Sequence, residues 1–216
     1  EIVYEDLIER HNCVITLTHT GYIKRLPADT YTAQHRGGKG LIGMTTKEED
    51  FIEKVLSVNS HSLLMMFTNT GKVHCIKAYM IPEASRTAKG TNIVNVLQVE
   101  QGEKVQTMIH TRELENDELF LVMVTKNGTV KRLPVSALKN IRVSGIRALR
   151  LDEGDQLISV RETDGKQNIL IATHDGMAVC FDENDVRPMG REAVGVRGIR
   201  LREGDYVVGA ARAYPG

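Results

Sequence analysis

Four segments of the chain share one order of sequence features, and this internal repeat constrains the fold more than any other feature of the sequence. In each segment a β-branched apolar run leads to a turn glycine, a second short run follows, and a basic stretch ends at another glycine before an acidic turn. The turn glycines, spaced by 50, 57 and 48 residues, are Gly21, Gly71, Gly128 and Gly176. The second glycines, which follow by 19, 19, 17 and 22 residues, are Gly40, Gly90, Gly145 and Gly198.

The turn glycines predict antiparallel hairpins. Asn127-Gly128 and Asp175-Gly176 are dipeptides that tolerate the positive φ of the tight turns that match strand twist. A unit of about 50 residues with several strands is typical of a propeller-type blade, whose sheet buries both faces only when a neighbour stacks on it. We therefore predict an all-β, propeller-like array of four-stranded blades. It forms one domain over residues 1–216, with units at about 13–57, 63–109, 119–160 and 168–210.

Two segments allow more than one interpretation. Thr46 and Glu49, followed by apolar residues, match a helix capping box. In register with the other units, however, the stretch that ends at Val55 falls where residues 105–109 and 157–160 look like strands, so a strand is the preferred prediction. Residues 205–216 are expected to begin a fifth unit.

Composition excludes several classes of protein. The 216 residues are 41% hydrophobic, and 28 Lys+Arg balance 28 Asp+Glu, which excludes a disordered polyelectrolyte and a uniformly basic nucleic-acid binder. Apolar runs such as Leu63 to Phe67 are too short for a membrane helix. The three cysteines are widely spaced and none of the seven histidines has ligand spacing, so we expect no disulfide framework, no metal site and a reducing cytosol. Because residue 1 is Glu, we expect an excised fragment.

The balanced charges are segregated along the chain, and the segregation follows the repeat. Residues 126–150 hold seven bases and no acid, and residues 11–42 and 71–90 each carry a net +3. The fourth basic stretch, residues 176–202, carries +1, whereas residues 98–119 and 151–168 carry −4 and −3. If the units superpose, the basic stretches form a belt suited to a polyanion that must bend. Only 5% of residues are aromatic and Trp is absent, which favours a duplex backbone over single strands.

The first basic stretch contains a glycine-rich loop. Its sequence is Gln34-His35-Arg36-Gly37-Gly38-Lys39-Gly40, in which three glycines let the backbone approach a phosphate and two cations supply charge. The spacing is not that of a nucleotide-binding P-loop, so nucleotide hydrolysis has little support.

This heptapeptide resembles the gyrase box of the C-terminal β-pinwheel domain of DNA gyrase A, in the type IIA topoisomerase family. Six of seven positions match, and His35 stands where the family usually has Arg or Lys; a neutral imidazole contributes less charge near pH 7. The resemblance extends through residues 48–52, 128–131 and 195–201. It implies a six-bladed pinwheel, of which this chain holds about four blades.

The resemblance also implies a function. The family's domain wraps duplex DNA on a basic rim so that ATP-dependent strand passage introduces negative supercoils, and the box residues 34–40 would complete the wrap. The implied partners are double-stranded DNA, the rest of gyrase A, and gyrase B in an A2B2 holoenzyme. The catalytic tyrosine, the ATPase, ATP and Mg would lie outside this non-catalytic, cytoplasmic and monomeric domain, which has no cofactor of its own.

From the charge pattern, not from a family motif, we predict further DNA contacts on the rim. They are Lys24, Arg25, Arg86, Lys89, Lys131, Arg132, Arg142, Arg147, Arg197 and Arg200. Two other interpretations stay open: the C-terminal domain of topoisomerase IV, in which the box is degraded, and a propeller used as a protein-docking platform. An enzyme is unsupported, because the sequence shows no cluster of acid, base and nucleophile.

Overall fold

The computed structural model describes residues 4–30, 50–111, 117–139, 141 and 143–215. Within these ranges the protein is all-β, as the repeat predicts. The strands are β1 Asn12–Thr18, β2 Tyr22–Pro27, β3 Ile52–Asn59, β4 Leu63–Thr68, β5 Lys72–Lys77, β6 Thr91–Asn92, β7 Val105–Thr111, β8 Phe120–Thr125, β9 Thr129–Pro134, β10 Ile146–Arg147, β11 Leu157–Thr163, β12 Asn168–Thr173, β13 Ala178–Asp182, β14 Val196–Arg197 and β15 Val207–Ala213. Short 3-10 helices span Tyr4–Leu7, Ala78–Met80, Ile93–Asn95, Val135–Leu138 and Glu183–Asp185. No helix in these ranges is long and apolar enough to cross a membrane.

Each of the first three repeats builds most of one sheet and borrows the remainder from the repeat that follows. The strand orders are β3-β1-β2-β6, β10-β5-β4-β7 and β11-β8-β9-β14, and the described part of the fourth sheet is β13-β12-β15. The short strands β6, β10 and β14 belong to the next repeat along the chain, where they directly follow Gly90, Gly145 and Gly195. Strand exchange therefore completes the first three sheets.

The turn glycines themselves bind the borrowed segment. The carbonyl oxygen of Gly21 accepts from Ile93 N at 2.8 Å, and that of Gly128 accepts from Gly198 N at 2.8 Å. Gly71 O accepts from Ala148 N at 2.9 Å. All three glycines have positive φ, as the hairpin prediction requires. One residue thus closes its own hairpin and anchors the next repeat.

The described chain divides into two compact units. The first comprises Glu1–Met65, Cys75–Gln101 and Met108–Arg112, and the second comprises Met66–His74, Gly102–Thr107 and Glu113–Gly216. In the second unit a hydrophobic core joins the third and fourth sheets. Its buried members are Val122, Val124, Val130, Ile169, Ile171, Val186, Ile199 and Val207.

Among the described residues, the fourth sheet is buried on one face and exposed on the other. Ile169 and Ile171 of β12 are fully buried, whereas Leu170 between them is 44% exposed. Cys180, the partner of Leu170 on β13, is also exposed. By contrast, β8 is buried along nearly its whole length. The alternating pattern of β12 is what a sheet with a neighbour on one side produces.

The structure corrects two predictions and confirms a third. Residues 207–213 do not begin a fifth unit, because β15 pairs with β12 and completes the fourth repeat. The second glycine of that repeat is Gly195, not Gly198: it has φ +104, and an added Cβ would meet Val130 O at 2.6 Å, just as one at Gly90 would meet Ile23 O at 2.6 Å. The strand predicted around Val55 is confirmed by β3.

Gly71 and Gly176 occupy equivalent turns, and comparing them tests how closely the backbone of the next repeat approaches a turn glycine. Gly71 and Gly176 have φ +86 and +89, so alanine at either is strained by about 1 to 2 kcal/mol. At Gly71 the added Cβ would also lie 2.4 Å from Leu149 O, whereas nothing described lies within 4 Å at Gly176. We expect Gly71→Ala to lower the free energy of unfolding in urea by at least about 2 kcal/mol more than Gly176→Ala. Equal losses would contradict the close approach.

Candidate nucleic-acid interface

One position in the second strand of each hairpin holds a buried polar group in three of the four repeats. Three residues after the turn glycine stand Lys24, His74 and Lys131, which are 3%, 0% and 0% exposed. The fourth repeat has Val179 at this position. A buried cation requires acceptors, and the borrowed loop of the next repeat supplies them.

The Lys24 ammonium donates to three backbone carbonyl oxygens of one loop in the second repeat. The distances from Nζ are 3.1 Å to Ser85, 2.8 Å to Arg86 and 2.9 Å to Ala88. All three hydrogens of the ammonium therefore have acceptors. Burial lowers the pKa of Lys24, because it disfavours the charged form.

Lys131 makes the same kind of contact from the third repeat to the fourth. Its Nζ donates to Arg191 O at 2.7 Å and to Ala148 O at 2.8 Å. Burial lowers the pKa of Lys131 to about 8; Glu192 opposes this shift and Arg191 adds to it. The ammonium remains largely protonated near pH 7 and binds two loops at once.

His74 replaces lysine in the second repeat with an imidazole ring held between two acceptors. Its Nδ1 lies 2.8 Å from Val143 O, and its Nε2 lies 2.8 Å from Glu103 Oε1. The side chains of His74 and Glu103 are 0% and 1% exposed. The imidazole fills the space above Gly145, where an added Cβ would lie 2.6 Å from the ring. Glycine is therefore required there.

The next residue along the strand is arginine in two repeats, and it too binds the following repeat. Arg25 Nε donates to Ile81 O at 3.0 Å. The Arg132 guanidinium lies 3.2 Å from the Glu183 carboxylate and 3.9 Å from the centroid of the Phe120 ring. Cys75 takes this position in the second repeat, and burial raises the pKa of its thiol to about 12.

The Arg132–Glu183 ion pair is buried, and its carboxylate has further hydrogen-bond donors. Arg132 is 4% exposed and Glu183 is 0% exposed. The Glu183 carboxylate also accepts from Thr163 Oγ1 at 2.7 Å and from Gln167 N at 2.8 Å. These additional donors stabilise a carboxylate that burial alone would disfavour.

The structure therefore corrects the predicted rim at three positions. Lys24, Lys131 and Arg132 were expected to contact DNA, but their charged groups are buried and occupied by protein acceptors. Arg25 is only partly exposed. Charge counting missed this, because it cannot separate a cation that holds a loop from one that faces solvent.

Among the described residues, five members of the predicted rim do face solvent. They are Arg86, Lys89, Arg147, Arg197 and Arg200. Arg147 and Arg197 occupy equivalent positions in the borrowed strands, since Arg147 is paired with Lys72 and Arg197 with Thr129, each the first residue of its strand. Lys89 Nζ lies 3.9 Å from the centroid of the Tyr22 ring, which orients it by a cation–π contact.

Two parts of the predicted interface lie outside the described residues. They are the glycine-rich loop Gln34, His35, Arg36, Gly37, Gly38, Lys39 and Gly40, and the rim residue Arg142. The sequence alone did not single out His74 and Tyr22 as residues that hold the loops of the next repeat. Their register could have identified them, because His74 stands three residues after its turn glycine, as Lys24 and Lys131 do, and Tyr22 stands one residue after its own.

One group in the described chain brings possible metal ligands together. Donor atoms of His174, Asp175 and Asp205 lie within 4.8 Å of one another. Asp205 Oδ1, however, accepts from Asp175 N at 3.0 Å, in the same way that Asp155 Oδ1 accepts from Asn127 N at 2.9 Å. The His174 ring stacks on Tyr206 at 4.7 Å. We interpret the group as a hairpin cap.

Comparison with protein families gives one match that spans the repeats. The sequence model of the family described as "DNA gyrase C-terminal domain, beta-propeller" matches residues 14–59, 62–112, 120–164 and 167–213. These four ranges follow the four repeats, including the fourth as β12, β13 and β15 define it.

Similar proteins agree with that match. DNA gyrase A of Clostridium acetobutylicum is 53% identical over 92% of this chain and 24% of its own length. The corresponding protein from Staphylococcus aureus strain NCTC 8325 is 47% identical over 95% and 23%. The chain thus spans about a quarter of the length of these curated relatives.

Two solved structures are similar in fold and cover most of the chain. A C-terminal domain of DNA topoisomerase IV aligns with a TM-score of 0.80 and 28% identity, over 97% of this chain and 63% of its own. A DNA gyrase A C-terminal domain aligns with a TM-score of 0.69 and 25% identity, over 94% and 65%.

The buried lysine predicts a specific pH dependence of stability. Because the pKa of Lys131 is about 8 in the folded chain and near 10.5 when unfolded, the unfolded state binds more protons between these values. Stability contributed by this group therefore rises with pH in that window. Relative to Lys131→Met, the wild type should gain about 1 to 3 kcal/mol in free energy of unfolding from about pH 7.5 to 10.5. Lys166→Met, at an exposed lysine, is the control; a flat wild-type minus Lys131→Met difference would contradict the burial of a titrating ammonium.

Proposed function

The chain belongs to the DNA gyrase C-terminal domain family, and from this premise we propose that it binds and bends duplex DNA without catalysing a reaction itself. The observation that carries the proposal is the recurrence of an exposed arginine on the borrowed strands, Arg147 and Arg197. The loop cations Arg86 and Lys89 and the nearby Arg200 add to them. Positive charges that recur from one repeat to the next suit a ligand whose negative charges recur at regular spacing, as the phosphates of DNA do.

The proposed contacts are to phosphate, and sequence readout is weak. No recognition helix is present among the described residues, and arginine and lysine on strands and loops can neutralise phosphates without reading base edges. Each neutralised phosphate releases counterions. Bending a site of about 20 to 30 base pairs through about 40 to 90° costs about 1 to 6 kcal/mol, which several distributed contacts can offset.

In the longer protein, we propose that this domain supports supercoiling. The partners would be the rest of gyrase A, and gyrase B, in an A2B2 holoenzyme in the bacterial cytoplasm, where ATP and Mg serve other domains. The wrap would present a DNA segment so that strand passage introduces negative supercoils. Residues 34–40 would complete the wrap, with Arg36 and Lys39 as its charged members.

Topoisomerase IV is the second candidate, because its C-terminal domain aligns with the higher TM-score of 0.80. Identities of 47 to 53% with gyrase A, and a box with six of seven matching positions, favour gyrase. A protein-docking platform would instead show salt-sensitive affinity for a protein and none for duplex DNA.

Wrapping can be measured as a change in linking number. We expect relaxed plasmid, incubated with the chain and a relaxing topoisomerase, to retain positive writhe after the protein is removed. The double variant Arg36→Ala/Lys39→Ala should retain less, because two phosphate-binding cations of the box are lost. Lys166→Ala, in an acidic stretch, is the control. An unaltered linking number at saturating protein would argue against wrapping.

The exposed arginines can be counted by salt dependence. For Arg197→Ala the slope of log K against log salt concentration should fall in magnitude by about 0.9, one phosphate contact, and affinity should weaken alike on unrelated sequences. Arg197→Lys should keep the slope. If Arg197→Ala leaves the slope unchanged, this residue makes no phosphate contact.

A further inference from the structure

We propose that Lys24 is a positioning residue for the DNA interface: from inside β2 of the first repeat it fixes the loop of the second repeat that presents Arg86 and Lys89. This inference rests on the proposed DNA binding but assigns Lys24 a role different from contact. It reverses the expectation from charge counting, in which Lys24 itself meets the phosphate backbone.

Burial and bonding exclude a direct contact by Lys24. The residue is 3% exposed, and its ammonium already donates to the carbonyl oxygens of Ser85, Arg86 and Ala88. Reaching a phosphate would leave three acceptors without this donor. Ser85, Arg86 and Thr87 are exposed, so the loop itself faces solvent.

Among the described backbone hydrogen bonds, those that tie the loop to β2 lie at its start, where Ala84 N donates to Arg25 O at 3.2 Å and Arg25 N donates to Pro82 O at 3.2 Å. Ala88 N donates within the loop, to Ser85 O at 3.2 Å. Lys24 is therefore the main link between the loop centre and the sheet. Tyr22, two residues earlier and on the same face of β2, adds the cation–π contact to Lys89. One strand face thus orients both cations of the loop.

A contact of this kind, from the second strand of a hairpin to the loop of the next repeat, recurs in the fold. Lys131 binds Arg191 O, and His74 binds Val143 O, each from the same strand position to the equivalent loop of the next repeat. Different side chains, two ammonium groups and one imidazole, meet the same requirement. What they share is a donor placed under a basic loop, whereas the fourth repeat has the apolar Val179 at this position.

Salt dependence distinguishes positioning from contact. The pair Arg86→Ala/Lys89→Ala should reduce the magnitude of the slope of log K against log salt by up to about 1.8, two phosphate contacts. We expect Lys24→Met to approach that same reduction. When Lys24→Met is combined with Arg86→Ala/Lys89→Ala, the slope of this triple variant should fall no further than that of the pair. A direct contact predicts a reduction of about 0.9 for Lys24→Met, added in full in the triple variant. Either that additive result or an unchanged slope for Lys24→Met overturns the proposal.

Amide hydrogen exchange separates this proposal from the proposed function. In Lys24→Met, the amides of residues 84–90 should exchange faster while those of β1 keep their protection. If the wild type shows no salt-dependent affinity for duplex DNA, the proposed function fails, whereas unchanged loop exchange overturns the positioning role alone. Should Lys24→Met fail to fold, the same cycle is run with Lys131→Met and Arg191→Ala, because Lys131 holds Arg191 in the equivalent loop. Additive slope losses there overturn the proposal.

Discussion

The structure depends on one constraint: no repeat with a described successor completes its own sheet, and Lys24, His74 and Lys131 each bind an acceptor in the repeat that follows. The turn-glycine carbonyls of Gly21, Gly71 and Gly128 accept hydrogen bonds from the next repeat, and a two-residue strand from that repeat pairs with the edge. The positive φ of these glycines and the space beside them follow from the same requirement. Stability in such a chain is shared between successive repeats rather than held within each.

The same constraint divides the cations of a molecule with no net charge into two populations. Lys24, Lys131 and Arg132 lie inside and hold the next repeat, whereas Arg147 and Arg197 lie on the borrowed strands and face solvent. The buried set stabilises the segments that present the exposed set. Under the proposed function, a substitution at a buried lysine would therefore weaken DNA binding although this lysine does not itself contact DNA. The packing between repeats and the proposed function are linked in this way.

The sequence predicted the repeat, the antiparallel hairpins and the all-β class, because glycine at fixed spacing and apolar runs are local signals. It misplaced the second glycine of the fourth repeat by three residues, and it assigned β15 to a fifth unit, because strand pairing joins residues far apart in the sequence. Its charge count placed buried and exposed cations on one rim for a related reason. Lys131 and Arg147 look alike in a charge count, and only the loop packed over Lys131 distinguishes them.

The proposed function requires that the exposed cations of the chain bend duplex DNA. The most direct test labels the two ends of a duplex of about 40 base pairs with a donor and an acceptor fluorophore and measures energy transfer as the chain is added. Bending predicts a saturable rise in transfer, as the ends approach, that disappears at high salt. A duplex that binds to saturation and remains straight would contradict the claim.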